Sequence, residues 1–160
     1  LHVRSRRQRQ MCIRDRFTDI SFEVRAGEIV GLAGLVGSGR SEIVRAIFGV
    51  DKYDKGTVTL NGQKLKPGNP SAQMVSGVAL VPEDRRQQGL FMSSSINRNS
   101  AVTMLKRLSK LFIIREKSEA KLAKAWGETL SLKYATGFDP VERLSGGNQQ
   151  KVVLLSLIHI

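Results

Sequence analysis

The sequence predicts an α/β fold in which short apolar strands alternate with helices. Three observations carry this. The stretch "GLVGSGRS", residues 34–41, is a glycine-rich loop between an apolar run and a helical pattern. Around it, "EIVGLAG" (28–34) and "VALVP" (78–82) are short continuous apolar runs of the buried-strand type. Residues 95–135 lack β-branched runs and are rich in Ser, Lys, Leu, Ala and Glu, the composition of a helical segment.

The elements follow in chain order. Ile20, Phe22 and Val24 alternate with polar residues and predict a strand, which Ala26-Gly27 turns. "EIVGLAG" predicts a second, buried strand leading into the glycine loop. After the loop, Ile43, Ala46 and Ile47 fall at i, i+3, i+4 on a helix, and Gly49 stands where a terminating glycine belongs. "GTVTLNGQKL" is a strand ended by the turn dipeptide Asn61-Gly62. In "PGNPSAQMVSG", Asn69 suits the N-cap of a short helix, Pro70 its first position and Gly77 its close. "VALVP" returns to strand and "EDRRQQGL" reads as a polar loop. Leu122, Ala125, Trp126, Thr129 and Leu130 share one helical face, and at that spacing Trp126 reads as core packing. A turn, a Ser-Gly-Gly loop and a helix start at Gly146–Asn148 complete the pattern.

Composition narrows the function classes. The chain has 160 residues, 41% hydrophobic, about the length of one soluble domain. It has no run of 18 apolar residues, and it opens without the pattern of a secretory leader. One cysteine, Cys12, forms no internal disulfide, which suits a reducing compartment. The two histidines, His2 and His159, lie at the extreme ends. The body therefore has no set for a zinc hydrolase, a Ser-His pair or a thiol enzyme. The net charge is +12, and residues 1–16, "LHVRSRRQRQMCIRDR", supply a large share of it. That stretch lacks the aromatic interleaving of a nucleic-acid arm, so no nucleic-acid partner is expected.

The loop at Gly34, Leu35, Val36, Gly37, Ser38, Gly39, Arg40 and Ser41 has the spacing of a phosphate-binding P-loop, G-x-x-x-x-G-K-[ST], with Arg40 in the lysine position. Glycines let consecutive N–H groups turn inward around phosphate oxygens, and the helix N-terminus adds partial positive charge. Ser41 is the expected Mg²⁺ ligand. Arginine keeps the cation but is larger, planar and forked, so retained nucleotide affinity with poor hydrolysis is expected at this site. A second stretch, "LSGGNQQK" (144–151), offers the Ser145 hydroxyl and the unhindered backbone of Gly146 and Gly147 at another helix start.

"LSGGNQQK" resembles the signature motif of the ATP-binding-cassette (ABC) ATPases, L-S-G-G-Q, with Asn148 at the glutamine position. Together with "FEVRAGEIVGLAGLVGSGRSE" and "VPEDRRQQGL", it makes residues 17–154 similar to one type of cassette. That type is the second, C-terminal cassette of the fused two-cassette ATPases of bacterial importers for ribose, xylose, galactose and related sugars, and for autoinducer-2. In that group the second cassette commonly carries arginine in the P-loop and glutamate in the Q-loop, so Arg40 fits a pattern and Glu83 falls at the Q-loop position.

The resemblance implies a P-loop NTPase core, a mixed sheet with helices, over residues 17–94. It implies a helical subdomain over 95–143 and the signature with its helix over 144–154. It implies ATP and Mg²⁺, with Glu83 near the metal. It implies that Ser145, Gly146, Gly147, Asn148 and Gln149 complete a site whose P-loop lies in the first cassette. The implied partners are that first cassette, membrane permease subunits and, indirectly, a periplasmic sugar-binding protein. The implied location is the cytoplasmic face of the inner membrane.

The resemblance also implies absences. A Walker B strand with its aspartate and glutamate, a switch histidine and half the sheet would follow residue 160. The chain alone is expected not to hydrolyse ATP. Residues 1–16 and 155–160 break the family pattern and are expected to be non-native, translated adapter or assembly readthrough. Two other readings share the motifs: a non-transport ABC ATPase acting on ribosomes or DNA, and a regulatory module that binds ATP without turnover.

Overall fold

The computed structural model describes residues 2–4, 17, 19–110, 113–114 and 116–160. The rest of the arginine-rich opening stretch, with Cys12, lies outside the described residues. The chain divides into two units, Leu1–Leu80 and Val81–Ile160.

In the first unit, Asn61 and Gly62 both take positive φ, 50° and 79°. This is the geometry a two-residue hairpin demands. The strand predicted before them is β3 (Thr57–Leu60), and residues past the turn return as β4 (Gln63–Lys64). On the other edge of β3 lies β1 (His2–Arg4), then β2 (Phe22–Glu23), all antiparallel. Residues 2–4 thus occupy a sheet position. The helix predicted from Ile43, Ala46 and Ile47 is α1 (Arg40–Phe48), with Ile43 and Ala46 buried. Gly49 ends it at φ 85°, and a Cβ there would stand 2.9 Å from the Asn69 backbone nitrogen, so both conformation and space exclude a side chain. Just past it, Arg45 and Asp51 form a two-pronged ion pair at 2.9 and 3.1 Å. Helix α2 (Pro70–Val75) starts as expected, with the Asn69 side chain accepting from the Ala72 N–H at 3.0 Å.

Two strand expectations fail. Residues 28–34 and 78–82 carry no strand, and Ile29 is 98% exposed. An apolar run becomes a buried strand only when neighbouring strands pair with both edges and layers cover both faces. Among the described residues none pairs with 28–34.

In the second unit, the loop at 83–90 contains a π-helical turn, Arg85–Gly89, where a featureless loop was expected. The Asp84 carboxylate caps it, accepting from the Arg86 and Gln87 N–H groups at 2.9 and 3.1 Å. The predicted helical region holds α3 (Ile96–Ala101), α4 (Leu105–Leu108) and α5 (Glu116–Thr129). Between α4 and α5 a small hairpin pairs β5 (Ser109–Lys110) with β6 (Ile113–Ile114), which the composition did not announce. The inner face of α5 is Glu119, Ala123 and Gly127. This corrects the predicted face: Ala125, Trp126 and Thr129 are exposed, and Leu122 and Leu130 are half-buried. Gly127 lets the helix come close to Leu132 and Leu155, so small size, not apolar bulk, decided which side turned in. Helix α6 (Gly146–Leu157) begins where the sequence predicted. The core joins Leu90, Ile96, Val141, Val152 and Val153.

The final residues pack into this unit. Leu155 is fully buried, and His159 meets the edge of Trp126, ring centres 5.4 Å apart and planes at 78°. Burial, helped by the Arg107 cation, lowers the His159 pKa below its usual 6.5. Below pH about 6.5 the unfolded chain then binds more protons than the folded one, so stability falls as pH drops through that range. A urea midpoint lower at pH 5 than at pH 7.5, with the difference reduced by His159→Phe, is the expected result.

Candidate functional site

The glycine loop belongs to the first unit. The Ser38 N–H donates to the Leu35 carbonyl at 3.1 Å, closing a turn in which Gly37 sits at φ 84°. Gly39 follows at φ 86°, buried, as the N-cap of α1. Two left-handed residues in three steps are what tilt successive N–H groups toward one side of a loop. The Ile43 N–H is the first in α1 to bond back, to the Gly39 carbonyl at 3.0 Å. The N–H groups of the turn before it point out of the helix end, where the helix dipole is positive.

Gly34 is held close to its own loop. A Cβ there would stand 2.5 Å from Ser38 Oγ and 3.6 Å from Arg40 Cδ. The stem of Arg40 therefore passes close to Gly34, and Arg40 and Ser41 are both half-buried. Leu35 and Val36 are exposed, Val36 completely. Among the described residues no group of three or more His, Cys, Asp or Glu could hold a metal. A divalent cation here would thus rest on one hydroxyl and on ligand phosphates, the way Mg²⁺ is commonly held. The positive-φ glycines and the open helix end fit a phosphate chain.

The second cradle belongs to the second unit. Ser145 precedes α6 with extended dihedrals, and its hydroxyl makes no capping bond to the helix. It accepts from the Asn148 amide at 3.2 Å, while Asn148 Oδ1 accepts from the Lys133 N–H at 3.2 Å. Asn148 is thus a staple that fixes the serine rotamer and ties the helix start to residue 133. Gly146 and Gly147 are exposed, and nothing lies within 4 Å of a Cβ built on Gly147. Gln149 turns inward: it is 1% exposed and donates to the Leu144 carbonyl at 3.1 Å and the Val141 carbonyl at 3.4 Å. Its side chain supports the turn at 141–144 and does not face the cradle. Glu83 lies exposed just before the Asp84-capped turn.

The structure thus gathers Gly34, Ser38, Gly39, Arg40 and Ser41 at one helix start and Ser145, Gly146, Gly147 and Asn148 at another. One residue near the second cradle escaped sequence reading. A Cβ on Gly146 would stand 2.8 Å from an Arg85 guanidinium nitrogen. The two positions are far apart in sequence, and no local pattern links them.

The family described as ABC transporter matches residues 17–159. The chain is 53% identical over 138 residues to the ribose import ATP-binding protein RbsA 2 of Streptomyces avermitilis, covering 86% of this chain and 27% of that protein. It is 54% identical over 138 residues to the ribose import ATP-binding protein RbsA 1 of Streptomyces coelicolor, with the same coverage of 86% and 27%. A ribose import ATP-binding protein RbsA of Rhodococcus jostii is also 54% identical, again over 86% of this chain and 27% of its own length. The chain therefore spans about a quarter of the length of these relatives. No helix among the described residues is long and apolar enough to cross a membrane.

Proposed function

The chain belongs to the ABC transporter family, and on that premise we propose that it is the nucleotide-binding part of the second, C-terminal cassette of a two-cassette ATPase. That ATPase energises import of a monosaccharide or related small sugar across the bacterial inner membrane. The observation that carries the reading is the pairing, in one chain, of two glycine-rich helix starts of the kind that receive phosphate. The names of these three relatives, each a ribose import ATP-binding protein, favour transport over a ribosomal, DNA-directed or purely regulatory role.

In this reading the backbone of Gly34–Gly39 and the end of α1 hold the β- and γ-phosphates of ATP, with Arg40 as the cation. Ser41 Oγ is the ligand offered to Mg²⁺, which would supply charge neutralisation on the phosphates when bound, and Glu83 is the Q-loop residue of this reading. Ser145 Oγ and the N–H groups of Gly146 and Gly147 face a nucleotide held by the first cassette. Closing two cassettes head to tail excludes water from both nucleotides, and opening follows hydrolysis. The domain pattern follows: core over 17–94, helical subdomain over 95–143, signature helix over 144–154. Residues 1–16 stand outside the matched span, and the intact gene at its genomic locus tests whether 1–16 and 155–160 are encoded in frame. The permease subunits, reached by the helical subdomain, place the protein at the cytoplasmic face of the membrane, with a periplasmic sugar-binding protein as the indirect partner.

Calorimetric titration with ATP-Mg²⁺ tests the first site. A charged hydrogen-bond partner contributes about 1.5–3 kcal/mol, so Arg40→Ala is expected to weaken binding roughly 10- to 100-fold. Arg40→Lys is expected to bind within about threefold of the original and, in the two-cassette protein, to raise turnover, because a compact ammonium fits the loop without crowding the γ-phosphate. ATP affinity indifferent to Arg40→Ala would remove the P-loop assignment.

A further inference from the structure

Arg85 opens the π-helical turn 85–89, a rare element found frequently at functional sites. The turn is fixed at both ends. Asp84 caps its start, and at its close Gly89 fits so tightly that a Cβ would stand 2.9 Å from Pro82 Cγ and 3.3 Å from Val153 Cγ2 on α6. From this platform the Arg85 guanidinium reaches the first turn of α6 beside Gly146. Its Nε is buried with no hydrogen-bond partner. A cation beside the positive end of a helix is on the unfavourable side of the dipole. Neither local electrostatics nor hydrogen bonding accounts for the placement, whereas the packing of the turn against α6 does.

The geometry points to Arg85 as a positioning residue that braces the first turn of α6. It links the loop of Glu83 to Ser145, Gly146 and Gly147, so that a displacement of one is felt by the other. A side chain at Gly146 would meet the guanidinium, which would have to move. This deepens the proposed function and rests on the reading of 144–151 as the signature, since a braced cradle matters only if a phosphate is seated in it.

The test has two arms. In the 160-residue chain, hydrogen exchange is followed at Gln149, whose N–H bonds to the Ser145 carbonyl at 2.9 Å, and at Val152 and Val153. Arg85→Ala is expected to speed exchange at Gln149 about tenfold, within the usual range for coupled neighbours, and to leave Val152 and Val153 within about twofold. Arg85→Lys, which keeps the stem and charge but loses the planar fork, is expected to fall between. Unchanged exchange at Gln149, or equal acceleration at all three positions, overturns the brace. In the full-length protein assembled with its membrane subunits, Arg85→Ala is expected to lower kcat about tenfold with the KM for ATP within about twofold. A folded Arg85→Ala protein with unchanged kcat also overturns it. Absence of ATP turnover in the unsubstituted full-length protein would instead refute the proposed function, and the exchange arm would still decide the brace.

Discussion

Replacing Gly147 with alanine is expected to raise the thermal midpoint of the second unit while cutting ATP turnover of the full-length protein about a hundredfold, the scale seen when one phosphate- or oxyanion-facing backbone group is lost. The two effects have opposite signs because they come from different neighbours. Within the chain nothing lies within 4 Å of the new methyl group, and the residue already has helical geometry in the first turn of α6. Alanine there removes glycine's conformational freedom in the unfolded state and contributes about 0.5 kcal/mol of stability. Any loss of activity must then arise from something that approaches Gly147 from outside the chain. A melting curve and a steady-state ATPase assay on the same preparation separate the two. Full turnover in a stabilised Gly147→Ala protein would show that no phosphate approaches this helix start. Gly146 is the poorer choice for this test, since a methyl there meets the Arg85 guanidinium and would displace it.

Asn99→Ala is expected to destabilise the second unit by about 3 kcal/mol, read as a lower urea midpoint with unchanged slope. Asn99 is 2% exposed and lies on α3. Its amide nitrogen donates to the carbonyls of Phe91 at 3.0 Å, Ser95 at 3.1 Å and Ser94 at 3.3 Å, and its oxygen accepts from the Phe91 N–H at 2.8 Å. One side chain thus satisfies the backbone of the whole 91–95 bend. Removing it strands several polar groups away from water, and each stranded buried group costs about 1–3 kcal/mol before relaxation. Neighbouring Arg98 is exposed, and Arg98→Ala should change stability by no more than about 0.5 kcal/mol. Equal effects at the two positions would mean that the bend is not held by Asn99.

What could be read from the sequence was local. The Asn61-Gly62 hairpin, the Asn69 cap with Pro70, the Gly49 stop and the start of α6 are each specified by two to four adjacent residues, and the structure has them all. The glycine loop at 34–41 was legible for the same reason. The strands at 28–34 and 78–82 were not decidable in this way, because pairing depends on partners distant in sequence. The face of α5 was misread because Glu119 was not counted as an inward residue and Gly127 was not counted as a packing surface. In the second cradle, the glycines were legible but the roles of Gln149 and Arg85 were not. Gln149 shares the polar look of Asn148, yet a turn formed by residues 141–144 draws it inside. Arg85 reads as one charge among four until the π-helical turn carries it to Gly146.

The uncovered run at 28–36 has a colloidal consequence. Ile29, Leu35 and Val36 lie almost wholly in water, on a largely apolar segment with no charge after Glu28. Such a strip is adhesive toward its own copies. The net charge of +12 opposes that adhesion at a distance. Repulsion between like-charged copies reaches about 10 Å at 0.1 M salt and only about 3 Å at 1 M. The basic composition of this chain is therefore a dispersant as much as a recognition feature, and dissolved salt decides how far it acts.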